Sequence, residues 1–116
     1  MKLAELVAVL QLQVRSGGEK IDRLVSGCYA GDLLSDVIGN ASEDQVWITR
    51  QVHQNIVAVA ALKNLAGIII VMGAEPGDDT LQKAAEEQIP IMVASHSAFE
   101  VAGKLYELLK KGDAKI

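Results

Sequence analysis

A three-layer α/β domain built on a mostly parallel sheet of about five strands is the fold this sequence predicts. Three observations carry it. The run Ile68-Ile69-Ile70-Val71-Met72 is apolar at every position and bounded by Gly67 and Gly73, the pattern of a strand covered on both faces. Three strand-then-helix units follow one another over 46–63, 67–88 and 89–110, and such units close through right-handed crossovers into a parallel sheet. Finally, only 3% of the residues are aromatic while 50% are hydrophobic, so the core is aliphatic.

The elements are taken in order. Leu3, Leu6, Val7 and Leu10 fall at i, i+3, i+4 and i+7 and predict a short amphipathic helix. Residues 11–15 alternate polar and apolar, which suits a half-buried or edge strand, and Ser16-Gly17-Gly18-Glu19 is a turn. A second strand spans Leu24 to Ala30, with Gly27 marking a bulge or a point of close backbone approach. Asp32 is placed to cap a helix over Leu33–Ile38, and Gly39 to close it. Val46 to Thr49 is the third strand. The helix after it, Asn55 to Leu62, is apolar nearly all round, which predicts deep packing or an oligomer interface. Gly67 to Met72 is the fourth strand. Asp78 or Asp79 caps a polar helix ending near Gln88, and Ile89 to Val93 is a short fifth strand. Ser97-Ala98-Phe99-Glu100 is a capping box. It opens a helix carrying Ala98, Val101, Ala102, Leu105 and Leu109 at helical spacing. Gly103 inside that helix predicts close packing on a neighbour.

At 116 residues the chain is long enough for one core and is read as a single domain over 1–116. The net charge of −4 disfavours a nucleic-acid surface, which needs clustered basic residues. Lys104, Lys110, Lys111 and Lys115 suit the end of a helix instead. The longest apolar run is far short of the ~20 residues that span a bilayer, and Glu5 interrupts any secretory apolar segment, so no membrane partner is expected. Cys28 is the lone cysteine, read as an inert core thiol of a cytoplasmic protein.

No catalytic constellation stands out. A P-loop requires Gly-x-x-x-x-Gly-Lys-[Ser/Thr], and no segment supplies it; Gly73 to Thr80 has no lysine and carries Glu75, Asp78 and Asp79. The dinucleotide pattern Gly-x-Gly-x-x-Gly is missing too. His53, His96 and Cys28 show no i, i+4 pair among themselves, so neither a metal nor a cofactor is expected. What remains is position. In parallel sheets, ligands bind where strands end at their carboxyl termini. Four exits are predicted there: Tyr29 to Asp32, Thr49 to Asn55, Gly73 to Glu75, and Ser95 to Ser97. The candidate ligand-binding residues are therefore Asp32, Thr49, Arg50, His53, Asn55, Gly73, Glu75, Ser95 and His96. Gly73 reads equally as a simple turn, and Asp32 reads as a helix cap ahead of an acid or base.

Gly27-Cys28-Tyr29-Ala30-Gly31-Asp32-Leu33-Leu34-Ser35-Asp36-Val37, Val46 to Thr49 with His53 to Ala60, Ile68 to Pro76, and Gln88 to Ile91 together resemble the DRTGG-domain family. That module is similar to the N-terminal domain of HPr kinase/phosphorylase. The likeness spans about Val25 to Leu109. Where the family's Asp-Arg would fall this chain reads Gln51-Val52-His53, and where Thr-Gly-Gly would fall it reads Val71-Met72-Gly73, matching at Gly73 alone. The resemblance implies an α/β regulatory module, with CBS-domain or metabolic-enzyme partners. A serine-kinase activity would reside in a separate P-loop domain that these residues do not contain. The expected function is thus a non-catalytic module sensing a small metabolite or nucleotide. The alternatives are a homodimeric assembly module, motivated by the alanine- and valine-rich helices, and an HPr-kinase-related phosphotransferase.

Overall fold

The computed structural model describes residues 1–111, and of Lys111 only the backbone. Helix α1 (Leu3–Val9) leads into strand β1 (Gln13–Ser16), followed by a single 3-10 turn over Gly18–Lys20. Then come β2 (Gly27–Ala30), α2 (Leu34–Asn40), β3 (Gln45–Thr49), α3 (Asn55–Leu62), β4 (Gly67–Ile70), α4 (Asp78–Glu87), β5 (Ile91–Val93) and α5 (Ala98–Lys111). The sheet order is β1-β5-β4-β3-β2. From β2 to β5 every neighbour is parallel; β1 joins the outer edge of β5 antiparallel. The alternating segment over 11–15 is therefore an edge strand, shifted to 13–16.

Successive strand residues point to opposite faces, which sorts the core into two halves. Val46, Ile48, Ile69 and Met92 face α1 and α5, where Leu3, Leu6, Val101 and Leu105 meet them. Trp47, Ile68, Ile70 and Ile91 face α2, α3 and α4, where Val37, Ile56, Val57 and Ala84 meet them. All three residues of β5 and all four of β4 are buried, as expected of strands covered on both sides. The architecture is helices, parallel sheet, helices.

Several local expectations are corrected. The second strand begins at Gly27 rather than Leu24, which makes only an isolated bridge to Lys2. Gly27 pairs in register with Gln45, and a Cβ there meets only the Gln45 side chain at 3.4 Å, so it is neither bulge nor close approach. Helix α2 runs past Gly39 to Asn40. Its N-cap is Leu33, and Asp32 is engaged elsewhere. Helix α4 starts at Asp78 with Gly77 as its cap, so neither aspartate caps it. Gly103 has nothing within 4 Å of where a Cβ would stand and packs against no neighbour. The glycine that does need its missing side chain is Gly17, at φ +72°, where a Cβ would fall 2.6 Å from Pro90 Cα. Helix α3 buries Ile56, Val57, Val59 and Ala60 while Leu62 is 69% exposed, so it is packed on one face. The helical cap at Ser97 forms as expected: the Glu100 amide donates to Ser97 Oγ at 3.2 Å, and the Ser97 amide to Glu100 Oε1 at 3.4 Å. Of the lysines assigned to the helix end, Lys115 and the Lys111 side chain lie outside the described residues.

Candidate functional site

Because β2 to β5 run the same way, their carboxyl ends open on one rim, in the order β2, β3, β4, β5. Backbone bonds tie the exits together. Gly31 N–H donates to Ile48 O at 3.0 Å, Val71 N–H to Thr49 O at 3.1 Å, Gly73 N–H to Ala94 O at 2.9 Å, and Met72 N–H to His96 O at 2.8 Å. Met72 and Gly73 are both left-handed, at φ +62° and +68°, so the β4 exit is a tight turn. No atom stands within 4 Å of a Cβ at Gly73, which makes it a turn glycine and not a close-approach one.

At the β2–β3 end of this rim, under the start of α5, lies a cleft of about 230 Å³. Ile48, Val71 and Ala98 form its apolar walls, and Asp32, Thr49 and Arg50 its polar side. Thr49 is 2% exposed and ends β3. Its hydroxyl donates to Asp32 Oδ1 at 2.7 Å, and the Arg50 amide donates to the same oxygen at 2.8 Å. Thr49 Oγ1 in turn accepts from the Gln51 amide at 3.1 Å, while Gln51 Nε2 donates to Asp32 O at 3.0 Å. These bonds hold the Asp32 carboxyl below the ordinary aspartate range, the Thr49 hydroxyl first, then the Arg50 amide, with the Arg50 charge adding to them. The aspartate is therefore ionised at neutral pH. Asp32 is exposed, yet its carboxylate is fixed by two donors at the end of β3.

Two residues outside the expected set complete the scaffold. Trp47 is fully buried against α2 and α3, and its Nε1 donates to Gly31 O at 2.8 Å, fixing the β2 exit. Its signal in the sequence was chemical: a buried indole N–H must find an acceptor. Thr80 of α4, 1% exposed, donates its hydroxyl to Val52 O at 2.8 Å and pins the β3–α3 loop. Nothing in the sequence pattern pointed to that contact.

The nine expected residues share the rim but not the cleft. Asp32, Thr49 and Arg50 come together there. His53 and Asn55 lie where α3 opens in the opposite helix layer, and His53 Nδ1 accepts from the Asn55 amide at 3.1 Å. Glu75 reaches to the far edge of the sheet, where Arg15 of β1 donates Nε at 3.0 Å and Nη2 at 2.9 Å. Arg15 holds that carboxyl below the usual range. His96 stands over α5, its Nδ1 3.7 Å from Glu100. Ser95 is exposed beside it.

Among the described residues no group of three or more His, Cys, Asp and Glu side chains is arranged to hold a metal ion. No described helix is long and apolar enough to cross a membrane. Cys28 lies in β2, where burial pushes its thiol up to about 12, the condition of an unreactive sulfur.

No curated protein matches the chain in sequence. Among solved structures, it is similar to the CBS and DRTGG domains of the regulatory region of Clostridium perfringens pyrophosphatase, complexed with the activator diadenosine tetraphosphate. That likeness has a TM-score of 0.72 at 15% identity and covers 90% of this chain but 45% of the other. It supports the fold, and this chain corresponds to less than half of that regulatory region. The sequence model of the DRTGG domain matches residues 5–108, through all five strands and every wall of the cleft, and the chain belongs to the DRTGG-domain family.

Proposed function

We propose that this domain is a non-catalytic regulatory module that binds a small metabolite or nucleotide at the carboxyl rim. One observation carries the reading. At the rim, an apolar-walled cleft has an immobilised, ionised carboxylate and an arginine on one side. Clefts of mostly apolar lining with a few fixed polar groups are what small-molecule sites look like, and parallel sheets place them at this end. The role of a DRTGG-containing region in a pyrophosphatase, regulatory and bound to a nucleotide activator, supports the same reading. We assign the domain no reaction of its own. Its partner is an enzyme or a CBS-type domain that reads whether the cleft is filled.

Thermal denaturation across a panel of nucleotides and central metabolites tests this. A ligand at 100 times its Kd stabilises by about 2.7 kcal/mol, an easily read rise in Tm. The expected result is a rise with at least one compound that an Asp32→Asn/Arg50→Ala protein does not show. A panel without any rise, or a rise unchanged in the double variant, overturns the assignment.

A second reading, homodimeric assembly, is favoured by one observation. Phe99 is 87% exposed and Val9 57% exposed, and they flank an open groove that includes Gly103 and Leu108. Apolar side chains exposed together on one face mark contact surfaces. The two readings are compatible, since α5 borders both the cleft, at Ala98, and the groove.

A further inference from the structure

We infer that the cleft selects a ribonucleoside monophosphate, with the ribose hydroxyls donating to Asp32, the phosphate on Arg50 and the base against Ile48, Val71 and Ala98. This rests on the reading of the rim as a small-molecule site and names the ligand class for it. The argument begins with Asp32. Both intramolecular donors, Thr49 Oγ1 and Arg50 N–H, go to Oδ1. Among the described residues Oδ2 accepts none, so the carboxylate that lines the cleft keeps one oxygen with its acceptor capacity open. A carboxylate so placed repels a bare phosphate or carboxylate and calls for donors. Adjacent hydroxyls of a ribose supply two, the pairing that acidic residues make with ribose in other parallel-sheet sites.

The second feature is opposite charge a short way off. Arg50 follows Thr49 directly and lines the same cleft, yet among the described residues its guanidinium forms no ion pair. Its positive charge also favours the ionised form of Asp32. A ligand that satisfies both ends carries hydrogen-bond donors on one side and an anion on the other. The third feature is size. At about 230 Å³ the cleft is smaller than the range of about 300–1,000 Å³ common for ligand sites, so it encloses one nucleoside-sized group and leaves the phosphate toward solvent. Arg50, exposed and lining the cleft, is the side chain suited to meet it there. The walls offer little to tell one base from another, because Ile48, Val71 and Ala98 are all apolar.

Calorimetric titration of the intact chain with AMP, UMP, 2′-deoxy-AMP and adenosine is the test. AMP and UMP are expected to bind within a few-fold of each other. Removing the 2′-hydroxyl is expected to weaken binding about ten-fold or more, the usual effect of losing a hydrogen bond to a charged group. Asp32→Asn is expected to abolish the difference between AMP and 2′-deoxy-AMP. Arg50→Gln is expected to weaken AMP to the level of adenosine and leave adenosine unchanged. Circular dichroism confirms that each variant is folded. Because Asp32→Asn disturbs the Thr49 bond, Thr49→Ser serves as a second variant that keeps the hydroxyl and is expected to retain the selectivity. Equal affinity for AMP and 2′-deoxy-AMP in the unaltered protein overturns the inference. So does binding of amino acids or sugar phosphates that depends on Asp32 while AMP fails to bind; in that case the rim remains a ligand site and only the class is wrong. If no compound shows binding that depends on Asp32 or Arg50, both fall together.

Discussion

Asp32 shows how one residue's role depends on partners far away in sequence. Its position before Leu33 invites a helix cap, and nothing local argues against one. The carboxylate instead bonds Thr49 and the Arg50 amide, 17 and 18 residues on. A parallel pair of strands brings those two exits side by side, and a local reading does not include that neighbour. The bond has a consequence for stability. A folded-state pKa lowered from the usual 3.8 stabilises the protein above the unfolded value, and the stabilisation is lost as pH falls through the folded value. Thr49→Val removes the donor while keeping the buried shape. Urea denaturation at pH 7 is expected to show a loss of about 1–2 kcal/mol for that variant. The gap between the two proteins is expected to narrow as pH drops below about 3.8, toward the folded pKa of Asp32. A gap that stays constant from pH 7 to pH 3 would show that the Thr49 hydroxyl works without the ionised carboxylate.

At the scale of elements, apolar pattern placed the strands and most helices, and capping residues the other two, α2 and α4; the misses lie at their ends. The β4 strand is recognisable from four consecutive buried residues, and α5 from Val101, Leu105 and Leu109 together with its capping box. Ends are set by backbone bonding that residue types barely encode, which is why β2 is three residues shorter than its apolar run. Gly103 marks the same limit. A glycine in a helix interior costs up to ~1 kcal/mol against alanine, so a packing reason is the natural expectation. The structure shows open space there instead. Gly103→Ala is accordingly expected to stabilise the isolated protein by about 0.5–1 kcal/mol, a rise of several degrees in Tm at low concentration. A fall in Tm at every concentration would mean that space beside residue 103 is occupied within the monomer.

For the whole molecule, the shared direction of β2 to β5 is what the sequence made plain, and it is enough to gather all four exits on one rim. It did not separate those exits across the sheet. Glu75 and Asp32 stand at opposite ends of the strand order, the first tied to Arg15 on β1 and the second to β3, and no pattern along the chain records strand order. Among the large apolar side chains left exposed on the described residues, Phe99 on α5 is the most exposed. An aromatic ring 87% exposed beside Val9 keeps apolar area in water, which the proposed homodimer would cover. In that proposed dimer Gly103, which lines the same groove, is a small residue that would allow close approach. Light scattering from about 5 to 500 µM is expected to show a mass rising from 12.4 kDa toward twice that value. Phe99→Glu is expected to hold the monomer across the whole range while leaving ligand-induced stabilisation intact, because Phe99 lies outside the cleft walls. Gly103→Ala then separates its two effects: a gain in monomer Tm at 5 µM with a weaker dimer at 500 µM. A mass fixed at 12.4 kDa at every concentration leaves Phe99 to a different partner and removes self-association from the account.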